Sequence, residues 1–245
     1  MNIKISVLTA ALTLAAVGNA AAIDVRGALG AGTNAAKGLA LSDEDVIKQA
    51  DQACREYDRL NPVAAASDPY AQRLAKLTKG LENEDGLNLT FKVYKVSDVN
   101  AFAMANGCVR VFAGLMDVAT DEEIRGVIGH EIGHVKLGHS KAKMKTALLT
   151  RAGREGLAAS DSKASDLAAS ELGGLAEDVI NAQFSQKEES AADTYAYHFM
   201  VRRKFDPNAL VSIFTKLGGK GGLMSSHPSS PKRVKAIQSL IAKGK

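Results

Sequence analysis

The sequence predicts an α+β fold that is mainly helical and includes a small β-sheet in the first half of the folded region. Apolar residues recur at three-four spacing over most of the chain, which is typical of amphipathic helices. Short segments with strand-like patterns lie between residues 89 and 112. From Thr120 onward the pattern is again helical to the end of the 245 residues.

The first 22 residues predict a cleaved secretion signal. An apolar run follows Lys4, and small residues precede possible cleavage sites after Ala20 and Ala22. A retained membrane anchor is the alternative, but the apolar run is shorter than the roughly 20 residues that span a bilayer. The cleavage region contains no cysteine that could carry a lipid. We therefore expect a periplasmic or secreted protein without a lipid anchor.

The rest of the chain is expected to form one domain. Residues 23–41 are rich in Gly and Ala and predict a flexible lead-in. Residues 42–245 are enough for one substantial core, and no later segment is long and apolar enough to cross a bilayer. The net charge is +4, and basic and acidic residues are interleaved, so we expect no nucleic-acid partner. The basic C-terminal stretch could form a patch, but a solvated helix face is favoured.

The chain contains two cysteines, Cys54 and Cys108. An exported chain meets an oxidising environment, so we predict that these cysteines form one disulfide. Two buried free thiols are the alternative.

The first folded elements are two predicted helices. Residues 42–60 have apolar positions at helical spacing, and Ser42 with Asp45 forms a capping box. A second helix is expected from residue 67 or 68 to about residue 82, with Pro69 in its first turn.

A strand and a hairpin follow. Residues 89–96 predict a half-buried strand. Residues 101–105 and 108–112 flank Asn106-Gly107, a strong hairpin signal because both turn positions tolerate positive φ. The predicted disulfide would tie this hairpin to the first helix.

The remainder is predicted to be helical. Thr120 and Glu123 form a second capping box at the start of this region. Helices are expected over residues 121–137, 141–158, 165–203, 207–217 and 230–243.

The helix over 121–137 contains the sequence His130-Glu131-Ile132-Gly133-His134. Residues four apart on a helix are offset by about 40°, so both imidazoles can face one ion, and neutral imidazoles suit Zn²⁺. Glu131 would stand beside the metal as the general base that takes a proton from a metal-activated water. The alternative is a chance match in which two histidines are satisfied by structural contacts.

A third protein ligand could come from two places. In one pattern a third histidine lies six residues beyond the second, but position 140 is Ser140, and Leu137 stands where a glycine is needed. His139 lies five residues after His134, about 140° from the ligand face, so it is not predicted as a ligand.

The other source is a glutamate on a downstream helix, with an aspartate one turn later. Glu189 and Asp193 have this spacing, although Glu188 competes with Glu189 and the spacing does not exclude it. Asp193 would accept the Nδ1–H of a ligand histidine, with His130 as the first candidate. A merely charged helix face is the alternative.

At these residues the chain resembles metallopeptidase family 48, the gluzincin family of CAAX prenyl proteases, HtpX and Oma-type proteases. The resemblance spans roughly residues 42–243 and is greatest to small LoiP-like periplasmic members, which are lipoproteins, whereas this chain lacks their lipobox cysteine. The matching segments are Asn100-Ala101-Phe102-Ala103, Gly129 to His134 with Gly138-His139, Phe184-Ser185, Glu189, Asp193, His227-Pro228 and Arg233.

The resemblance implies a zincin-type metallopeptidase domain with one Zn²⁺ per chain. It assigns Glu189 rather than Glu188 as the third metal ligand. The chain departs from the family pattern at Gln186, where the family often has arginine.

The family places the segment Asn100, Ala101, Phe102 and Ala103 as the strand against which an extended substrate lies. Unpaired backbone groups there would capture peptides with little regard for side chains. The resemblance therefore implies an endopeptidase that acts on unfolded or extended proteins in the cell envelope, for protein quality control.

His227 and Arg233 resemble a further catalytic element of the family and are expected near the cleft. His227 could stabilise the oxyanion, or it could be a fourth zinc ligand that keeps the enzyme latent. An ordinary histidine at the start of a helix is the alternative.

A binding protein is the competing functional class. It would be a chaperone or assembly factor for envelope proteins, built on a metal-bearing protease fold. Glu131 favours the enzyme, because a protein that cleaves nothing does not need the general base.

Gly126, Gly129 and Gly133 recur at three and four residues on the metal-binding helix. Each glycine destabilises a helix by roughly 0.5–1 kcal/mol relative to alanine. We expect that they let the helix that carries Glu189 cross at close range; relief of crowding in a small helical core is the alternative.

Overall fold

The computed structural model describes residues 41–154, 169–218, 226–228 and 231–244. The predicted signal (1–22) and nearly all of the predicted lead-in (23–41) lie outside these residues. Within the described ranges, no helix has the length and apolar character that a membrane crossing requires.

Helix α1 (Asp43–Leu60) begins as predicted. The side chain of Ser42 accepts a hydrogen bond from the backbone N–H of Asp45, and the Asp45 side chain in turn accepts one from the backbone N–H of Ser42. This reciprocal capping box satisfies two backbone donors that the first helical turn leaves unpaired.

Helix α2 (Pro69–Leu77) begins at Asp68, which accepts a hydrogen bond from the N–H of Tyr70. The helix ends about five residues before the predicted end. Thr78 has φ −104° and ψ 4°, and Gly80 has φ +78°, so the chain leaves the helical conformation there.

The sheet consists of β1 (Thr90–Tyr94), β2 (Ala101–Ala103) and β3 (Cys108–Phe112), in the order β1-β3-β2. Strands β2 and β3 form the predicted antiparallel hairpin. Strand β1 pairs with β3 in parallel, a pairing that the sequence pattern did not predict. Strand β2 is therefore an edge of the sheet.

The predicted disulfide is confirmed between Cys54 on α1 and Cys108 on β3. It ties the first helix to the central strand of the sheet. Both residues are buried.

The second half of the described chain is helical, as predicted. Its helices are α3 (Ala113–Val118), α4 (Asp121–Lys136), α5 (His139–Arg154), α6 (Ala169–Asn181), α7 (Gln186–Arg202), α8 (Asn208–Leu217) and α9 (Pro231–Lys243). Helix α3 was not predicted. The last four residues of the helix predicted over 141–158 lie outside the described residues.

The prediction of one continuous helix over 165–203 is wrong. Helices α6 and α7 are separated by residues 182–185, and Ser185 begins α7 through a capping box with Glu188. The side chain of Phe184, in the break between the two helices, is buried. Competing local hydrogen bonds from Ser185 therefore outweigh the apolar periodicity that runs across the break.

The glycines of α4 lie at close helix contacts. A Cβ atom on Gly133 would lie 3.2 Å from the carbonyl oxygen of Ala192 on α7, and one on Gly129 would lie 2.5 Å from the Phe199 ring, also on α7. The predicted close approach of the Glu189 helix is thus found at these two positions. At Gly126 the neighbour is instead Leu210 of α8.

Candidate metal centre

Helix α4 presents two imidazoles from one face. Nε2 of His130 lies 3.1 Å from Nε2 of His134, and both side chains are buried. The capped start of α4 fixes the register that directs both rings inward.

Glu189 on α7 completes a third corner of the cluster. Its Oε1 lies 3.4 Å from Nε2 of His134, and its Oε2 lies 3.5 Å from Nε2 of His130. The neighbouring Glu188 is engaged elsewhere, because its carboxylate accepts hydrogen bonds from the backbone N–H and hydroxyl of Ser185. The structure therefore places Glu189, and not Glu188, in the donor cluster, a choice that the helix spacing alone did not decide.

His227 supplies a fourth donor atom. Its Nδ1 lies 3.2 Å from Nε2 of His130 and 3.0 Å from Oε1 of Glu189. One donor atom from each of His130, His134, Glu189 and His227 lies within 4.8 Å of the other three, and all four residues are buried.

The spacing of these atoms fits a tetrahedral cation. An ion with bonds of about 2.0–2.2 Å holds its donors about 3.3–3.6 Å apart. The five separations given above run from 3.0 to 3.5 Å when either carboxylate oxygen of Glu189 is counted, and one donor atom from each of the four residues lies within 4.8 Å of the others. Imidazole nitrogens and a carboxylate oxygen are donors that first-row divalent ions such as Zn²⁺ accept.

The protonation pattern of His130 also fits a metal. Oδ1 of Asp193 lies 3.0 Å from Nδ1 of His130, and this proximity favours the neutral tautomer with its proton on Nδ1. The lone pair of Nε2 then faces Nε2 of His134, an arrangement that repels unless a proton or a cation lies between the two rings.

The electrostatic environment favours positive charge at this point. Burial alone would lower the pKa of His130, but the carboxylates of Asp193 and Glu189 raise it to about 9. Burial would likewise raise the pKa of Glu189, yet hydrogen bonds from the surrounding imidazoles hold it far below its ordinary range. The same carboxylates favour a metal cation at this point, and the cation would have to displace a proton from His130 in order to bind.

Arg233 holds the acidic side of the cluster in place. Its Nε and Nη2 donate to the two carboxylate oxygens of Asp193, each at 2.6 Å, and its Nη1 lies 2.5 Å from Oε2 of Glu189. The guanidinium is buried and therefore orients two carboxylates at once. The sequence pattern placed Arg233 near the cleft but did not reveal these partners.

A contact that the sequence pattern missed involves His139. Gly138 has φ +77°, and the turn brings Nδ1 of His139 to 3.1 Å from Nδ1 of His134. The Phe184 ring stacks on His134 with a centroid separation of 3.8 Å. His139 is not in the donor cluster. It contacts the ring nitrogen of His134 that faces away from the cluster, a position that the spacing of an ideal helix does not predict.

Glu131 stands beside the donor cluster. Its side chain is buried, and Oε1 lies 3.3 Å from Nε2 of His227. A small cavity is lined by this carboxylate together with Ala103 of β2 and His227. A carboxylate, a metal-binding cluster and an edge strand therefore border one space.

The edge strand has some of its backbone groups occupied. The N–H of Ala101 donates to Oδ1 of Asn100, and the carbonyl of Ala103 accepts a hydrogen bond from the hydroxyl of Ser140. Phe102 turns its ring into an aromatic cluster with Tyr94 and Phe112. These aromatic contacts hold β2 in place beside the metal centre.

Several known proteins are similar in sequence to this chain. The model of peptidase family M48 matches residues 70–241. The metalloprotease YcaL of Escherichia coli (strain K12) is 43% identical over 250 residues, which cover 100% of this chain and 98% of that protein.

Two further relatives extend the comparison. The metalloprotease LoiP of Escherichia coli (strain K12) is 41% identical over 242 residues, which cover 96% of each chain. The mitochondrial metalloendopeptidase OMA1 of Schizosaccharomyces pombe (strain 972 / ATCC 24843) is 30% identical over 199 residues, which cover 75% of this chain and 56% of that protein.

Proposed function

Because the chain belongs to peptidase family M48 and is a metal-dependent endopeptidase, we propose that it is a zinc enzyme that cleaves unfolded or extended proteins of the cell envelope. The observation that carries this proposal is the convergence of His130, His134 and Glu189 beside the carboxylate of Glu131. The role would be protein quality control in the envelope.

Zn²⁺ would be held by His130, His134 and Glu189, with His227 at the fourth position in the state described here. When bound, the ion supplies Lewis-acid chemistry, which acidifies water and polarises a peptide carbonyl. Asp193 holds the His130 tautomer, and Arg233 holds the carboxylates of Asp193 and Glu189.

Glu131 would act as the general base and then return a proton to the leaving amine. Its carboxylate lies close enough to the cluster to exchange protons with a reacting group there, and its surroundings exclude bulk water. The edge segment Asn100, Ala101, Phe102 and Ala103 would hold the substrate through the backbone groups that β3 and the side chains of Asn100 and Ser140 leave unpaired.

The compartment follows from two features. The disulfide between Cys54 and Cys108 is typical of proteins in an oxidising compartment, and the first 22 residues predict a secretion signal. Both support a periplasmic or secreted enzyme.

Metal analysis with a proteolysis assay tests the proposal. The purified chain should contain one zinc per molecule and digest casein, a chelator should abolish digestion, and added Zn²⁺ should restore it. An unfolded envelope protein should be cut faster than the same protein folded. Digestion that survives complete metal removal would contradict the metal-dependent mechanism, and equal cutting of folded and unfolded protein would contradict the quality-control role.

The position of His227 indicates that the enzyme has two states, one with His227 at the fourth position of the cluster and one without it. Because its Nδ1 occupies the fourth corner of the cluster, a substrate carbonyl would need to displace it. We propose that the state with His227 at the fourth position is latent. A latent zinc protein is also what the alternative function, a chaperone or assembly factor, requires. His227→Ala should then retain the metal and cleave casein faster than the parent. Slower cleavage with the metal retained would instead indicate that His227 stabilises the oxyanion.

A further inference from the structure

Lys143 on α5 lies in the wall between two cavities. The smaller cavity is the one that Glu131 and Ala103 border. The larger cavity, of about 400 Å³, extends away from it between α5 and the end of α6. Lys143 and Phe184 line both cavities, so they separate the metal centre from the larger space.

The ammonium group of Lys143 has no carboxylate within ion-pair distance among the residues that the structure describes. Its Nζ lies 3.4 Å from the centroid of the Phe184 ring, whose other side stacks on His134. Burial lowers the pKa of Lys143 to about 8, and the carboxylates of Glu131, Glu189 and Glu188, which lie beyond ion-pair distance, offset only part of this shift. The aromatic face offsets part of the lost hydration. The group is therefore mostly charged at neutral pH, in a place where an anion would stabilise it.

The acidic residues around the larger cavity are engaged with other partners. The carboxylate of Asp178 accepts from Nε and Nη2 of Arg151, at 2.9 and 2.8 Å. The carboxylate of Glu188 caps the start of α7 through Ser185. Glu131 faces the smaller cavity, where its predicted task is proton transfer. Among the described residues that line the larger cavity, Lys143 is thus the charged one without an ion-pair partner.

We propose that Lys143 binds a carboxylate of the peptide substrate, so that the larger cavity selects for a negative charge close to the cleaved bond. The inference rests on the proposed peptidase function. A peptide held along β2 next to Glu131 would border the smaller cavity, and a neighbouring residue would meet Lys143 where Lys143 and Phe184 line both cavities. The carboxylate could belong to an aspartate or glutamate side chain or to the free C-terminus of the substrate.

Matched peptides test this inference. The two peptides of the first pair differ only in having Glu or Gln at the positions that flank one cleaved bond. The second pair has a free or amidated C-terminus immediately beyond that bond. The zinc-loaded full chain should prefer the carboxylate member of at least one pair by roughly tenfold in kcat/KM, which is typical of a hydrogen bond to a charged group. A preference in the first pair identifies a side-chain carboxylate, and a preference in the second identifies the C-terminus.

Three variants assign the preference to Lys143. Lys143→Gln should bring the carboxylate-to-amide ratio close to one, whatever its absolute rate, and Lys143→Arg should keep part of the preference. Lys145→Gln is the matched control, because it removes a lysine from the same helix that lines neither cavity, and it should leave the ratio unchanged.

Binding separates this inference from the peptidase function. Fluorescently labelled peptides of both pairs should be titrated into zinc-loaded Glu131→Gln protein, with and without Lys143→Gln. Tighter binding of the carboxylate peptide that depends on Lys143 supports the inference even if no peptide is cleaved. Equal binding and equal cleavage within both pairs, or a preference that persists in Lys143→Gln, would overturn it.

Discussion

Nδ1 of His134 lies 3.1 Å from Nδ1 of His139, so one imidazole is the hydrogen-bond partner of another. Only one of the two nitrogens can carry the shared proton. Burial lowers the pKa of His139, which favours its neutral form. A neutral His139 can accept the proton of His134 at Nδ1 and leave the lone pair of His134 Nε2 directed at the metal cluster. His139 is therefore a positioning residue for His134, as Asp193 is for His130.

Replacement of His139 should weaken metal binding without removing a ligand. His139→Ala is expected to lower metal affinity by about 10–100-fold, which is usual when the hydrogen-bond partner of a metal ligand is lost. Competition with a chelating dye measures the affinity. His198→Ala is the control, because His198 is exposed on α7 and does not belong to the metal cluster. An affinity unchanged in His139→Ala would show that His134 needs no such partner.

Replacement of Glu131 should separate metal binding from catalysis. Glu131→Gln keeps all four donors of the cluster but removes the basic oxygen, so bound zinc should remain while casein cleavage falls by roughly 10²–10⁴-fold. Zinc content and cleavage are measured on the same preparation. Glu177→Gln, an exposed change on α6, should alter neither quantity. Turnover retained in Glu131→Gln would remove Glu131 from the proposed mechanism.

The adjacent glutamates of α7 should respond differently to the same substitution. Glu189→Ala removes a donor from the cluster, so both bound metal and cleavage should be lost. Glu188→Ala removes half of a capping box, so it should retain metal and lower the free energy of unfolding by about 1 kcal/mol. Metal analysis and denaturant unfolding distinguish the two effects. If Glu188→Ala strips the metal and Glu189→Ala does not, the ligand assignment is off by one residue.

The elements that the sequence predicted well are those set by local interactions. The capping boxes at Ser42 and Thr120 and the hairpin turn at Asn106-Gly107 depend on residues within a few positions of each other. Both capping boxes and the hairpin are found, although β2 ends at Ala103 and only Gly107, not Asn106, has a positive φ. The convergence of His130 and His134 likewise follows from one helix and its 100° rotation per residue.

The elements that were missed depend on contacts distant in sequence. The parallel pairing of β1 with β3 and the ion pair of Arg233 with Asp193 join segments that no short pattern links. The break before α7 is different, because Ser185 and Glu188 carry a local capping signal that the apolar periodicity obscured. The family resemblance identified His227 and Arg233 as members of the site but did not predict which residues they contact.

The glycines of α4 give the last prediction, because two of them have different neighbours. Gly133 faces α7, where the nearest atoms include the carbonyl oxygen of Ala192, a backbone atom that cannot move without its helix. Gly126 faces α8, where a new Cβ would lie 3.0 Å from Cδ2 of Leu210, the far end of a flexible side chain. Helix α7 carries Glu189, whereas α8 carries none of the cluster's donors.

A leucine at either position should overpack the core and lower the free energy of unfolding of the zinc-free protein by about 1–3 kcal/mol, offset by up to about 1 kcal/mol of improved helix propensity. Zinc affinity should distinguish the two. Gly133→Leu should separate α4 from α7, draw Glu189 away from His130 and His134, and weaken zinc binding and cleavage together. Gly126→Leu should retain zinc affinity despite a similar loss of stability. Thermal unfolding without zinc and chelator competition with zinc measure the two effects. Zinc affinity that stays at the parent value in a folded Gly133→Leu protein would show that the glycine relieves crowding only and does not set the distance between the two ligand-bearing helices.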